Sequence, residues 1–199
     1  MDVNVQQLAE DIAAHLPEGW RAGKPVESDW GPSRSATIEH RDGPVVSLYW
    51  DSYRKHVSCS GRYPLRDGNQ CSPSSWGALR YDETEPRIRF SPTRKPQALA
   101  RDIERRLLAQ YLPLYRECLR LSGEHAAAEE DRDHYLKRYA TACGGEIRGE
   151  TIHVFHEPDD AGNRVMGDVR VSTDGSARFE VYVPADMVER ICQILGGAR

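Results

Sequence analysis

The sequence predicts an α+β fold: two antiparallel β-meanders flanking a central pair of long helices, with one helix at each terminus. Three observations predict it. Residues 35–60 and 151–183 alternate apolar and polar positions, the period of antiparallel hairpins, around Asp42-Gly43, a turn of the tight-hairpin class, and Asp174-Gly175, a two-residue hairpin turn. Between them, residues 94–144 repeat apolar positions at three and four, the period of a helix face. No strand–helix–strand alternation carries a glycine-rich turn, which sets a doubly wound parallel sheet aside.

In chain order, Val5, Leu8, Ile12 and Leu16 draw one apolar face on a helix from about Val3 to Leu16, which Pro17 and Gly19 end. Gly19–Lys24 suits a short strand with Trp20 buried, and residues 25–33 a loop. Ser35–His40, Val45–Trp50 and Lys55–Ser60 then form a meander with one covered face. Residues 64–86 are rich in Gly, Pro, Ser and Asp and predict little regular structure before a strand at Arg87–Ser91.

Pro96 suits the first turn of the central helices, where Leu99, Ile103, Leu107 and Tyr111 repeat at every fourth position. Pro113 removes a backbone donor, so the spacing predicts two helices meeting there at a kink or corner. The second would run about 30 residues, roughly 45 Å, with Gly123 a candidate break and Gly144-Gly145 the stop. After it come strands at Thr151–His156, Val165–Thr173 and Ala177–Val183. Val165, Val169, Val171, Ala177, Phe179, Val181 and Val183 are expected to face inward, and Met166, Asp168, Arg170, Arg178, Glu180 and Tyr182 outward. A last helix after Pro184 would lay Val188, Ile191, Cys192 and Leu195 on the inner face. The expected division is residues 1–93, 94–145 and 146–199, three modules of one continuous fold.

With 39% hydrophobic and 29% charged residues, the 199-residue chain is an ordinary globular composition, and its mean hydropathy of −0.68 favours an elongated or multi-lobed shape. No apolar run approaches the roughly 18 residues that span a bilayer, and the first residues lack a secretion signal's pattern. The five cysteines are scattered without a C-x-x-C pair, which points to reduced thiols and a cytoplasmic setting. The net charge of −4 hides an asymmetry: residues 54–106 hold twelve Lys/Arg against six Asp/Glu, whereas residues 1–53 hold four against nine and residues 146–199 six against ten.

That basic middle interleaves rings with cations. Tyr53, Arg54, Lys55, Arg62, Tyr63 and Arg66, then Arg87, Arg89, Arg94 and Lys95, and Arg101 with Arg105 one helical turn apart, could bind a polyanion or a partner, because bases stack on rings while cations track phosphates. A solvated face is the plainer reading of the same residues. On the second central helix, Leu121, His125, Tyr135 and Tyr139 continue an apolar stripe that one small meander would not cover, which makes them candidates for a homodimer or partner face.

Catalytic and metal grammar is missing. His153 and His156 sit three apart on a strand, so their rings diverge. Residues 157–163 lack the alternating ligands of a calcium loop. Residues 58–61 hold a thiol and hydroxyls without a nucleophile elbow, and residues 129–133 suit a solvated helix face. No catalytic residue, metal or cofactor is therefore assigned, and an unrecognised hydrolase stands as a lesser alternative.

The text I-R-F-S-P-T-R-K-P-Q-A-L-A-R-D-I-E-R-R-L-L-A-Q-Y-L-P-L-Y, from Ile88 to Tyr115, resembles a segment of uncharacterised bacteriophage and prophage accessory proteins, in which a short strand with R-x-P leads into an A-x-D-I-x-R-R-L-L helix. The resemblance implies a phage or mobile-element accessory protein. Small proteins of that origin commonly bind host machinery, anti-defence inhibitors included. The expectation is a non-enzymatic interaction protein that binds a host protein or a protein–nucleic-acid complex, with direct nucleic-acid binding through residues 54–106 as the alternative and no membrane partner.

Overall fold

The structure, a computed structural model, describes residues 3–25, 33–66, 68–80, 82–156, 164–184 and 187–192. It is α+β and divides into two compact units, Met1–Gly123 and Glu124–Arg199. The division differs from the three modules read from the sequence in splitting the central helical segment between the units. Among the described residues no helix is long and apolar enough to cross a membrane.

The first unit is built on a five-stranded antiparallel sheet. Its elements are α1 (Val5–Ala13), β1 (Trp20–Ala22), β2 (Ser35–His40), β3 (Val45–Asp51), β4 (His56–Arg62), a two-strand ribbon of β5 (Leu65–Arg66) and β6 (Asn69–Gln70), and β7 (Arg87–Phe90), with sheet order β1-β2-β3-β4-β7. The Asn4 side chain caps α1 by accepting from the Gln7 N–H at 3.1 Å. Alternate residues Ala36 and Ile38, Val46, Leu48 and Trp50, Val57 and Cys59, and Ile88 and Phe90 turn one face of the sheet into the core. Against that core pack Val5, Leu8, Ala9 and Ile12 of α1, and Leu99, Ile103, Leu107 and Tyr111 of the central segment.

That central segment is one helical run where two helices were expected. It passes from α2 (Pro96–Asp102) through a π-helical turn (Ile103–Leu108) into α3 (Ala109–Cys143), with Pro113 inside α3 and no break at Gly123. The wide turn keeps the apolar stripe in line. Four α-helical residues advance 400°, so a strict four-residue stripe drifts by about 40° per step. A π turn, bonded i to i+5, turns less per residue and cancels part of that drift. Leu99, Ile103, Leu107 and Tyr111 thus stay on one line and are all buried.

The second unit packs the later part of α3 against a four-stranded meander of β8 (Glu146–Arg148), β9 (Thr151–His156), β10 (Val165–Val171) and β11 (Ala177–Tyr182), in order β11-β10-β9-β8. Leu136, Ala140, Ile152, Val154, Val169 and Val171 form its core. Three expectations are corrected here. Phe179 stands on the inner face opposite Val169 yet is 63% exposed, being on the edge strand. Val188, Ile191 and Cys192 of the last helical turns are exposed rather than laid on the sheet. Both Asp-Gly hairpins have three-residue loops, residues 41–43 and 173–175, because His40 pairs with Pro44 and Ser172 with Ser176. Only Gly43 and Gly175 take positive φ in those loops, whereas a two-residue primed turn would need it at the aspartates too.

Candidate functional site

Of the basic residues singled out in the sequence, Arg62, Arg87 and Arg89 share one face of the first sheet, and the others do not join them. Tyr53, Arg54 and Lys55 occupy the β3–β4 turn, where Tyr53 is 92% exposed and Lys55 takes a left-handed φ of 56°. Asp51 builds that turn by accepting from the Tyr53 and Arg54 amides, and the Arg54 amide bond is the main cause holding its carboxyl below the usual range. Val57 pairs with Phe90, so Arg94 and Lys95 follow β7 at the same end of the sheet, while Arg62 closes β4 at the other end. Arg94 donates to Asp102 at 2.7 Å, and that bond is the main cause of the lowered pKa of Asp102. Arg105 lies 3.9 Å from the same carboxylate, and Arg101 is exposed nearby on α2. Arg66 stacks on Trp76 at 5.6 Å. Tyr63 leaves the surface set altogether: it is buried against Tyr111, ring to ring at 5.5 Å, and burial pushes its hydroxyl pKa up.

The helical stripe is likewise engaged within the chain. Leu121 packs beside the first core, and His125 lies 4.0 Å from Glu129. Tyr135 and Tyr139 stack on one another at 6.0 Å and cover the second sheet, where Tyr139 donates to the Gly175 carbonyl at 3.0 Å. Gly175 has a reason beyond its φ, since a Cβ there would lie 2.7 Å from the Tyr135 ring.

The outer face of the second sheet is where the structure gathers unsatisfied chemistry. The register sorts it into three rows across the strands. Phe155, Met166 and Tyr182 lie side by side, and all three are exposed, at 59%, 44% and 75%. The next row holds Glu146, His153, Asp168 and Glu180, and the third Arg148, Thr151, Arg170 and Arg178. The apolar and acidic rows, with Arg148, line a concavity of about 730 Å³. Gly167 lies beneath it on the core side, where a Cβ would come within 2.3 Å of the Glu180 carbonyl oxygen, so glycine lets β10 and β11 close up.

Within the concavity the His153 Nδ1 sits 2.7 Å from the Asp168 carboxylate, and Arg148 donates to Glu146 at 2.8 Å. No ion pair among the described residues involves Glu180, Arg170 or Arg178. The His–Asp pair has the geometry of a base held by an orienting carboxylate, but no serine, threonine or cysteine lines the concavity to serve as nucleophile. His156 turns away, its Nε2 3.0 Å from the Cys143 carbonyl. No group of three His, Cys, Asp or Glu among the described residues could share a metal ion. The loop residues 157–163 lie outside the described residues.

Sequence reasoning had placed Met166, Asp168, Glu180 and Tyr182 outward without joining them into a site. The available signal was an aromatic and a methionine on positions that alternation assigns to solvent. Comparison of the chain with protein-family models, with curated proteins and with solved structures returns no match.

Proposed function

We propose that the protein is a non-enzymatic interaction protein, of the phage or mobile-element accessory kind that residues 88–115 resemble, and that it holds a host protein or protein–nucleic-acid complex on the outer face of its second sheet. The observation that carries the reading is the exposed row Phe155–Met166–Tyr182 beside the acidic row. Contiguous apolar surface with a charged rim is what a binding face requires, and three large side chains left in water cost solubility without adding to the core. Five free thiols, with Cys59 and Cys118 buried, suit a reducing, cytoplasmic setting.

The pattern favours a different polypeptide over a second copy. Rows two residues apart along a strand are separated by roughly 6.8 Å. With strands aligned, a face-to-face two-fold that lays the apolar row on its own copy also sets carboxylates against carboxylates or leaves them uncovered. The complementary partner presents an apolar group, then a cation, then an anion at that spacing.

Affinity purification from the native host tests this. The wild-type chain is expected to retain a stoichiometric partner that the Phe155→Ser/Tyr182→Ser variant loses at unchanged circular dichroism. Equal recovery by both, or no stoichiometric partner with either, sinks the proposal.

A further inference from the structure

We infer that the outer face of the first unit's sheet binds the backbone of single-stranded nucleic acid, with Arg62, Arg87 and Arg89 on the phosphates and Tyr49 beneath a base. This rests on the first unit alone and stands or falls separately from the reading above. The register again defines the surface. One row runs Ser35, Tyr49, Ser58, Arg89, and the next Thr37, Ser47, Ser60, Arg87, with Arg62 one step further along β4. Arg62, Arg87 and Arg89 therefore climb the β4–β7 edge in steps of about 7 Å. All three are exposed, and no ion pair among the described residues takes any of them. Arg62 is also aimed: its Nε donates to the Ser47 hydroxyl at 2.6 Å, which leaves its four terminal N–H groups for a ligand.

The rest of the face suits the same ligand. Ser47, Ser58 and Ser60 bring hydroxyls between the strands, and Tyr49 is 51% exposed, two strands or roughly 10 Å from Arg89. The carboxylates of these strands are elsewhere engaged or distant. Asp51 is spent on its own turn, and Glu39, two strands or roughly 10 Å from Arg62 in the same row, accepts from Thr37 at 3.2 Å. The opposite face of the sheet is the core, so the three exposed arginines stand on its solvent side. A single strand is chosen over a duplex because only an unpaired base can lie flat on Tyr49. Charge agrees: the unit Met1–Gly123 holds eighteen Lys/Arg against sixteen Asp/Glu, or +2, while the unit Glu124–Arg199 holds nine against fifteen, or −6.

The test is fluorescence anisotropy of labelled twelve-residue oligo-dT and oligo-U with the full chain. Three phosphate contacts predict a log–log salt slope of about −2, so affinity should fall roughly twenty-fold between 50 and 200 mM salt. Arg87→Glu/Arg89→Glu is expected to reduce affinity at least ten-fold, and Tyr49→Ala several-fold with the salt slope unchanged. These side chains are outside the core, and circular dichroism of each variant shows that the fold is kept. Three results overturn the inference: no binding at 50 mM salt, binding indifferent to the arginine pair, or a duplex or poly-glutamate competing as well as the oligonucleotide. The last would make the face a docking site for acidic surfaces in general.

Discussion

Gly61 is glycine because Tyr111 occupies the place of its side chain. A Cβ on Gly61 would fall 2.1 Å from the Tyr111 ring, whose hydroxyl donates to the Arg62 carbonyl at 2.7 Å and accepts from the Val45 N–H at 3.1 Å. The helix is thereby bolted to the paired ends of β3 and β4. Gly61→Ala should destabilise by about 1–3 kcal/mol or more through overpacking. Tyr111→Phe should cost about 1–3 kcal/mol by stranding two backbone groups. Tyr63→Phe should be neutral or stabilising, since the Tyr63 hydroxyl is buried with no partner among the described residues. Urea melts of the three variants check the order. Tyr111 was legible as a member of the four-residue stripe, but Tyr63 was misplaced. Its charged chain neighbours Arg62 and Arg66 suggested surface, and the ring that buries it lies far along the chain.

Among the elements, the strands were legible because alternation and Asp-Gly turns act within a few residues. The loop length was not. Counting Asp174-Gly175 as a two-residue turn would pair inward Val171 with outward Arg178, whereas the three-residue loop pairs it with Ala177. The inward and outward assignments already required that register, so the alternation was a better guide than the turn dipeptide. The single helical run was hidden for a related reason. Pro113 is a strong local signal for a break, whereas a π turn announces itself only through apolar positions repeating at four without the usual threes. Gly123 was the other suspected break. It lies in open space inside α3 with an ordinary φ, so Gly123→Ala should stabilise by about 0.5–1 kcal/mol, read as a rise in thermal midpoint. A fall in midpoint would mean that the unit boundary needs the glycine's freedom.

For the whole molecule, the sequence offered a basic middle between acidic ends, and the structure redistributes it. The boundary at Gly123 gives one unit of net +2 and one of −6, each with its own core. The sequence was nearly silent about that boundary: only Gly123 hinted at it, as a suspected break in a helix that in fact runs through it. Much of the candidate site was equally silent, since rows across a sheet join residues such as Phe155 and Tyr182 that share no local pattern. Two surfaces on separate units should be separable by mutation. Arg87→Glu/Arg89→Glu should weaken oligonucleotide binding at least ten-fold and spare the captured polypeptide, and Phe155→Ser/Tyr182→Ser should do the reverse. Measuring both ligands on both variants decides it, and joint loss would mean a shared surface.

The five free thiols also make the chain its own stopwatch. Cys59 and Cys118 are sealed in the first core, where burial pushes the Cys118 thiol up to about 11, while Cys143 lies beside the second core and Cys192 is open to solvent. An alkylating reagent added during a denaturant ramp would mark Cys192 at once. It would mark Cys143 when the second unit opens, and Cys59 with Cys118 only when the first does. Peptide mass spectrometry would then time the opening of each unit in the unaltered protein, with no engineered probe.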